Sequence, residues 1–145
     1  MAKTSAWIDT ALAPQEAFAA LTDLSRFGDW LVFHDSWQDT VPKPADVAEG
    51  RTIASVINVK GTAIPLRWTV QTYRAPQAFR FAAKEKGVKV AIGFTVEPAG
   101  PGARIGFELG LSGLPVVGPI GKKVVQELHD DVVASLDRFA VLLGS

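Results

Sequence analysis

Residues 51–111 read RTIASVINVKGTAIPLRWTVQTYRAPQAFRFAAKEKGVKVAIGFTVEPAGPGARIGFELGL. Throughout this stretch large apolar residues recur at every second position. Ile53, Ser55, Ile57 and Val59 share one side of a first segment, which Lys60-Gly61 ends. Ile64, Leu66, Trp68 and Val70 then alternate with Pro65, Arg67, Thr69 and Gln71. Phe79, Phe81 and Ala83 alternate with Arg80, Ala82 and Lys84 between Ala75-Pro76 and Lys86-Gly87. Val88, Val90, Ile92, Phe94 and Val96 alternate with Lys89, Ala91, Gly93, Thr95 and Glu97. After Pro98 to Gly102 the pattern resumes with Ile105, Phe107, Leu109 and Leu111. A period of two sends successive side chains to opposite faces. Five such segments with short connections predict an antiparallel meander with one buried face. Gly93, Gly106 and Gly110 fall on the face opposite the large side chains, and glycines inside strands mark bends and bulges. The sheet is therefore expected to curve.

The flanks change period. Residues 3–10 read as a first strand. Ala13-Pro14 open a short helix carrying Ala17, Phe18 and Leu21 on one side, proline being suited to the first turn. Thr22 to Trp30 read as a second short helix with Asp23 or Ser25 at its start. Residues 31–49 read as irregular, with Pro42 and Pro44 opposing regular pairing. In the last segment Ile120, Val124, Leu128, Val132, Leu136, Phe139 and Leu143 form the apolar stripe of a helix of about 25 residues. The expected fold class is thus α+β: a curved antiparallel six-stranded sheet wrapped around a long C-terminal helix, with two short helices between strands 1 and 2. One domain spanning 1–145 is expected, with no internal repeat.

Composition narrows the function. Fifteen basic and fifteen acidic residues balance, which gives no general attraction to nucleic acid or anionic membrane. No apolar run approaches the ~18 residues that cross a bilayer. The start lacks a secretory pattern and the chain has no cysteine, so a reducing, cytoplasmic setting is expected.

Three local features resemble the helix-grip superfamily of START and Bet v 1-like proteins. They are Ala13-Pro14-Gln15-Glu16-Ala17-Phe18 after the first strand, Leu24-Ser25-Arg26-Phe27-Gly28-Asp29-Trp30, and Asp137-Arg138-Phe139 near the end of the last helix. Trp30-Leu31-x-x-His34-x-x-Trp37, Val59-Lys60-Gly61 and Gly118-Pro119-Ile120-Gly121 further resemble an actinobacterial subgroup of polyketide cyclase/dehydrase-like proteins, some of which carry the name of toxins of toxin–antitoxin pairs. The resemblance implies binding or transport of a small apolar ligand, such as a lipid, polyketide or aromatic compound, in an internal cavity. A cyclase/dehydratase-like enzyme and a toxin acting through an antitoxin-like protein partner are the alternatives it leaves open. No cofactor, nucleic-acid partner or stable membrane insertion is implied.

The candidate cavity residues come from several elements. Trp30, Phe33, His34 and Trp37 precede the second strand, where the resemblance places one rim of a cavity. Ile57, Leu66, Trp68, Phe81, Val90, Ile92, Phe94 and Phe107 share the inward face of the sheet, and Val125, Leu128, His129 and Val132 lie on or beside the helix stripe. Apolar walls with few polar groups suit apolar ligands. His34 amid aromatics is the one candidate acid–base group. Its neighbour Asp35 is expected to point away, as consecutive residues of an extended segment do. Arg67 and Arg104 are expected to face outward. Neither histidine has metal-ligand spacing, so no metal site is expected. The apolar, Gly- and Pro-rich run 112–121 is a candidate lid or an ordered connection.

Overall fold

The computed structural model describes residues 2–32, 34–38, 47–59, 62–85, 88–112 and 118–142. Seven strands form one antiparallel sheet: β1 (Ala2–Thr10), β2 (His34–Trp37), β3 (Thr52–Val59), β4 (Thr62–Arg74), β5 (Ala78–Glu85), β6 (Val88–Ala99) and β7 (Gly102–Ser112). Their order is β1-β7-β6-β5-β4-β3-β2. The helices are α1 (Pro14–Leu21), a 3-10 turn (Leu24–Arg26) running into α2 (Phe27–Trp30), and α3 (Gly118–Leu142).

The expected count of six strands is corrected to seven. Within the segment read as irregular, His34–Trp37 pairs with β3 across a bulge between His34 and Ser36. The bulge breaks strict alternation, so His34 and Trp37, three residues apart, are both half-buried while Asp35 and Ser36 are exposed. A bulge re-aims side chains in this way. Alternation alone could not have found this strand.

The period-two segments take their expected places. Ile53, Ser55 and Ile57 of β3, Leu66, Trp68 and Val70 of β4, and Phe79, Phe81 and Ala83 of β5 are buried. So are Val90, Ile92, Phe94 and Val96 of β6 and Ile105, Phe107 and Leu109 of β7. Arg67 and Arg104 are exposed, as expected. The turns at 60–61 and 86–87, the prolines 42 and 44, and residues 113–117 of the candidate lid lie outside the described residues.

Pro14 is the first residue of α1, which buries Ala17, Phe18 and Leu21. The Thr22 hydroxyl donates to the Phe18 carbonyl at 2.9 Å and closes its last turn. Asp23 stands at the start of the 3-10 turn without capping its backbone; its carboxylate accepts from Ser25 Oγ at 2.6 Å instead. The 25 residues of α3 make a rod of roughly 37 Å. Leu128, Val132, Leu136 and Phe139 bury its stripe. Ser135 Oγ, wholly buried, accepts the Val32 amide at 3.0 Å and ties the helix to the chain leaving α2.

One close approach requires glycine. At Gly102, where β7 begins, a Cβ would strike the Thr10 carbonyl oxygen. The end of β1 can therefore sit against β7 only with no side chain there.

Candidate functional site

The concave face divides into two halves that the sequence pattern does not distinguish. Phe94 pairs with Phe79 and Phe107 across the sheet, and none of the three is more than 1% exposed. Trp30 closes over them, its ring centroid 5.5 Å from Phe94, 6.5 Å from Phe107 and 4.7 Å from Phe139. Phe27 adds an edge contact to Trp30 at 5.6 Å. Such offset and edge-to-face pairs are the favoured aromatic geometry. This half is a closed core, and no surface there is open to a ligand.

Two residues along each strand, a step of about 6.6 Å, the packing loosens. Ile92 pairs with Phe81 and Leu109, and Val90 with Ala83. These five side chains keep between 3% and 9% of their surface accessible, Val90 the most. The helix shows the same gradient independently. Val132, Leu136 and Phe139 are closed, whereas Leu128, one turn before Val132, keeps 7%. Ile57, Leu66 and Trp68 belong to the looser half as well. On both sheet and helix, accessible surface rises towards the end where β6 begins and the N-terminal half of α3 lies, and on α3 it rises also beyond Phe139, where Leu142 is half-buried.

Polar groups border this half at three places. Trp68 Nε1 donates to Ser55 Oγ at 2.7 Å, both groups buried. On the far side His129 Nδ1 and Thr4 Oγ1 lie 2.6 Å apart, joining α3 to β1. His34 sits opposite Ile57 with Trp37 4.7 Å and Phe27 6.1 Å from its ring. Among the described residues nothing hydrogen-bonds its imidazole. Trp37 is anchored by its own Nε1, which donates to the Leu24 carbonyl at 2.9 Å. The Trp30 indole N–H, deep in the closed core, finds no acceptor among the described residues.

Burial lowers the His34 pKa from its ordinary 6.5, opposed by the neighbouring Asp35 carboxylate. At neutral pH the imidazole is an uncharged donor and acceptor, suited to a carbonyl or hydroxyl. The same shift has a stability consequence. The folded chain binds fewer protons at His34 than the unfolded chain once pH falls below 6.5, so stability is lost on acidification through the folded pKa and is constant below it. His34→Gln should flatten this part of the pH profile. Denaturant midpoints of both proteins between about pH 7.5 and pH 5, the histidine range, measure it; parallel profiles would contradict it.

The candidate residues thus separate. Ile57, Leu66, Trp68, Phe81, Val90, Ile92 and Leu128 border the looser half, with His34, Trp37 and His129 at its margins. Trp30, Phe94, Phe107 and Val132 are closed core. Phe33 and the side chain of Val125 lie outside the described residues. Leu109, Ala83 and the Ser55 and Thr4 hydroxyls were not among the candidates. The inward register pointed to Leu109 and Ala83, but nothing in the sequence gave the cross-strand neighbours of the hydroxyls. Among the described residues no cluster of three or more His, Asp or Glu could hold a metal, and no helix is long and apolar enough to cross a membrane.

Residues 1–144 match the family model described as "Polyketide cyclase / dehydrase and lipid transport". A Mycobacterium tuberculosis protein named Toxin Rv0910 is 33% identical over 145 residues, 99% of each chain. A second protein of that organism, the uncharacterized protein Rv1546, is 30% identical over 99% of this chain and 100% of its own. Among solved structures, a START superfamily protein from Mycobacterium smegmatis superposes with a TM-score of 0.77 at 15% identity, covering 99% of both chains. At that identity the likeness concerns the fold.

Proposed function

Because the chain belongs to the polyketide cyclase / dehydrase and lipid transport family, we propose that it binds a small apolar molecule in the looser half of its helix grip. The observation that carries this reading is the paired gradient of accessibility. From the closed row of Phe79, Phe94 and Phe107 towards the start of β6, and from Val132 towards the start of α3, accessible surface rises, to 9% at Val90 and 7% at Leu128. Ile57, Leu66, Phe81, Val90, Ile92 and Leu128 supply the apolar walls, and His34 supplies a neutral hydrogen-bonding group at one margin. The preferred ligand is therefore mostly apolar with one carbonyl or hydroxyl, the combination such pockets select.

Native mass spectrometry of the protein purified from its own host tests this, with extraction and identification of whatever it retains. A lipid, polyketide or aromatic compound at one equivalent is the expected result. A bare chain that also fails to enhance N-phenyl-1-naphthylamine fluorescence would remove the reading. His34→Gln should weaken binding of a carbonyl-bearing ligand by roughly three- to tenfold, the value of one neutral hydrogen bond.

A second reading rests on the relative named a toxin. If this chain shares that behaviour, inducible expression arrests growth, and co-expression of an adjacent small reading frame relieves the arrest. Normal growth at high expression would leave the binding reading alone.

A further inference from the structure

β1 is an edge strand of the sheet. Its nine residues run in unbroken register with β7, and it contains neither proline nor bulge, two devices that commonly blunt an edge. The opposite edge, β2, has both a bulge and only four residues. Among the described residues the backbone hydrogen bonds of Ala2–Asp9 go to β7 alone. α3 lies against the concave side of β1, held there by His129 and Thr4. Yet Ala6 and Ile8 stay half-exposed, whereas Phe107 and Ile105, which pair with them, are closed. On the convex side Lys3, Ser5, Trp7 and Asp9 are all exposed, Trp7 at 58%.

We propose that two copies of the chain pair antiparallel through β1 about a two-fold axis at Ala6, joining their sheets into one. In this register Lys3 faces Asp9 of the second copy, Ser5 faces Trp7, Thr4 faces Ile8, and Ala6 faces its own equivalent. The charges select it. Lys3 and Asp9 stand three residues either side of Ala6, so the two-fold closes two opposite-charge pairs at once, and a slip of two residues breaks both. Cross-strand pairs of this kind fix register. A two-fold interface is self-complementary by necessity, and this strand is.

The convex face beside β1 is already arranged for it. Arg104 stacks on the Trp7 ring at 3.9 Å and is held by Asp9 at 3.0 Å, so the tryptophan needs little ordering on association. The two Trp7 rings would stand diagonally, about 7–8 Å apart at their backbones and within reach of aromatic side chains. Next to Ser5 and Trp7 runs a groove of about 240 Å³, lined also by Gly93, Gly106, Arg80 and Thr95. Gly93 lets Arg80 lie flat across β6 to Glu108 at 3.0 Å, which keeps the groove open for the incoming ring. Glu108 also meets Lys3 at 3.3 Å, so the new Lys3–Asp9 pairs would extend an existing ion network.

The absence of cysteine makes the register directly testable by Ala6→Cys. Opposed Cα atoms in antiparallel strands lie about 4.5–5.5 Å apart, inside the roughly 4.4–6.8 Å range of a disulfide. Mild oxidation should convert most of A6C to a cross-linked dimer. Ser5→Cys, whose symmetry mate is a diagonal away, should cross-link at least about tenfold more slowly. Light scattering on a sizing column should give the mass of two chains for the unaltered protein. Lys3→Glu should weaken dimerisation by about tenfold or more through two like-charge pairs, and K3E/D9K should dimerise better than either single variant. A monomer mass at all concentrations, equal cross-linking at positions 5 and 6, or no recovery in the double variant would overturn the proposal.

Discussion

Replacing Phe94 by alanine is expected to lower the stability of the fold by about 3–5 kcal/mol, the range for deleting a fully buried phenylalanine. The expectation follows from its neighbours. Phe94 is wholly buried and its ring meets Phe27, Trp30, Phe79, Phe81 and Phe107 at centroid distances from 5.0 to 6.4 Å. Those rings belong to β5, β7 and α2, so truncation leaves a cavity that no one element can close by shifting. The size of the penalty depends on how well a site collapses, and here collapse would require several anchored elements to move together. Chemical denaturation of the purified variant measures it, and the thermal midpoint should fall by roughly 10 °C. Phe81→Ala, in the first row of the looser half, should cost less because Phe81 keeps 5% of its surface accessible where Phe94 keeps none. Equal losses at the two positions would mean that the accessibility gradient has no energetic counterpart.

The contrast between these rows marks where sequence reading ends. Which face of each strand is buried was legible from residues 51–111, because a half-buried antiparallel strand must alternate and the turns between the strands are short. The long helix was legible for the same kind of reason, through the spacing of Leu128, Val132, Leu136 and Phe139. Phe81 and Phe94, however, look identical in such a pattern. Both are inward phenylalanines in strands and both meet Phe27 of α2, and it is Trp30, set against Phe94 and Phe107, that leaves one row the more closed. The strand at His34–Trp37 was missed because its bulge replaces alternation by a three-residue spacing. The Trp68–Ser55 bond needs the register between β3 and β4, which the turn at 60–61 does not declare. The His129–Thr4 bond joins residues 125 positions apart, and no local rule brings them together. Sequence thus specified the faces and the order of elements, and three-dimensional register decided which parts of those faces remain open.

That division allows the binding reading to be tested without knowing the ligand, through Val90→Phe. Val90, at 9%, is the most accessible of the buried residues assigned to the looser half; across the strands it pairs with the small Ala83 on β5 and with Leu111 on β7. If this half is a pocket, the larger ring enters existing space, and stability should change by less than about 1 kcal/mol, below the usual cost of overpacking. The same ring occupies the volume a ligand would use, so the affinity for N-phenyl-1-naphthylamine, or for the compound retained from the host, should fall at least about tenfold, the equivalent of some 1.4 kcal/mol. The two readouts together separate the alternatives. A packed core would instead show about 1–3 kcal/mol of overpacking strain and no probe binding in the parent protein to lose. Unchanged affinity with unchanged stability would place the ligand elsewhere on the chain and would sink the assignment of Ile57, Leu66, Phe81, Val90, Ile92 and Leu128 as its walls.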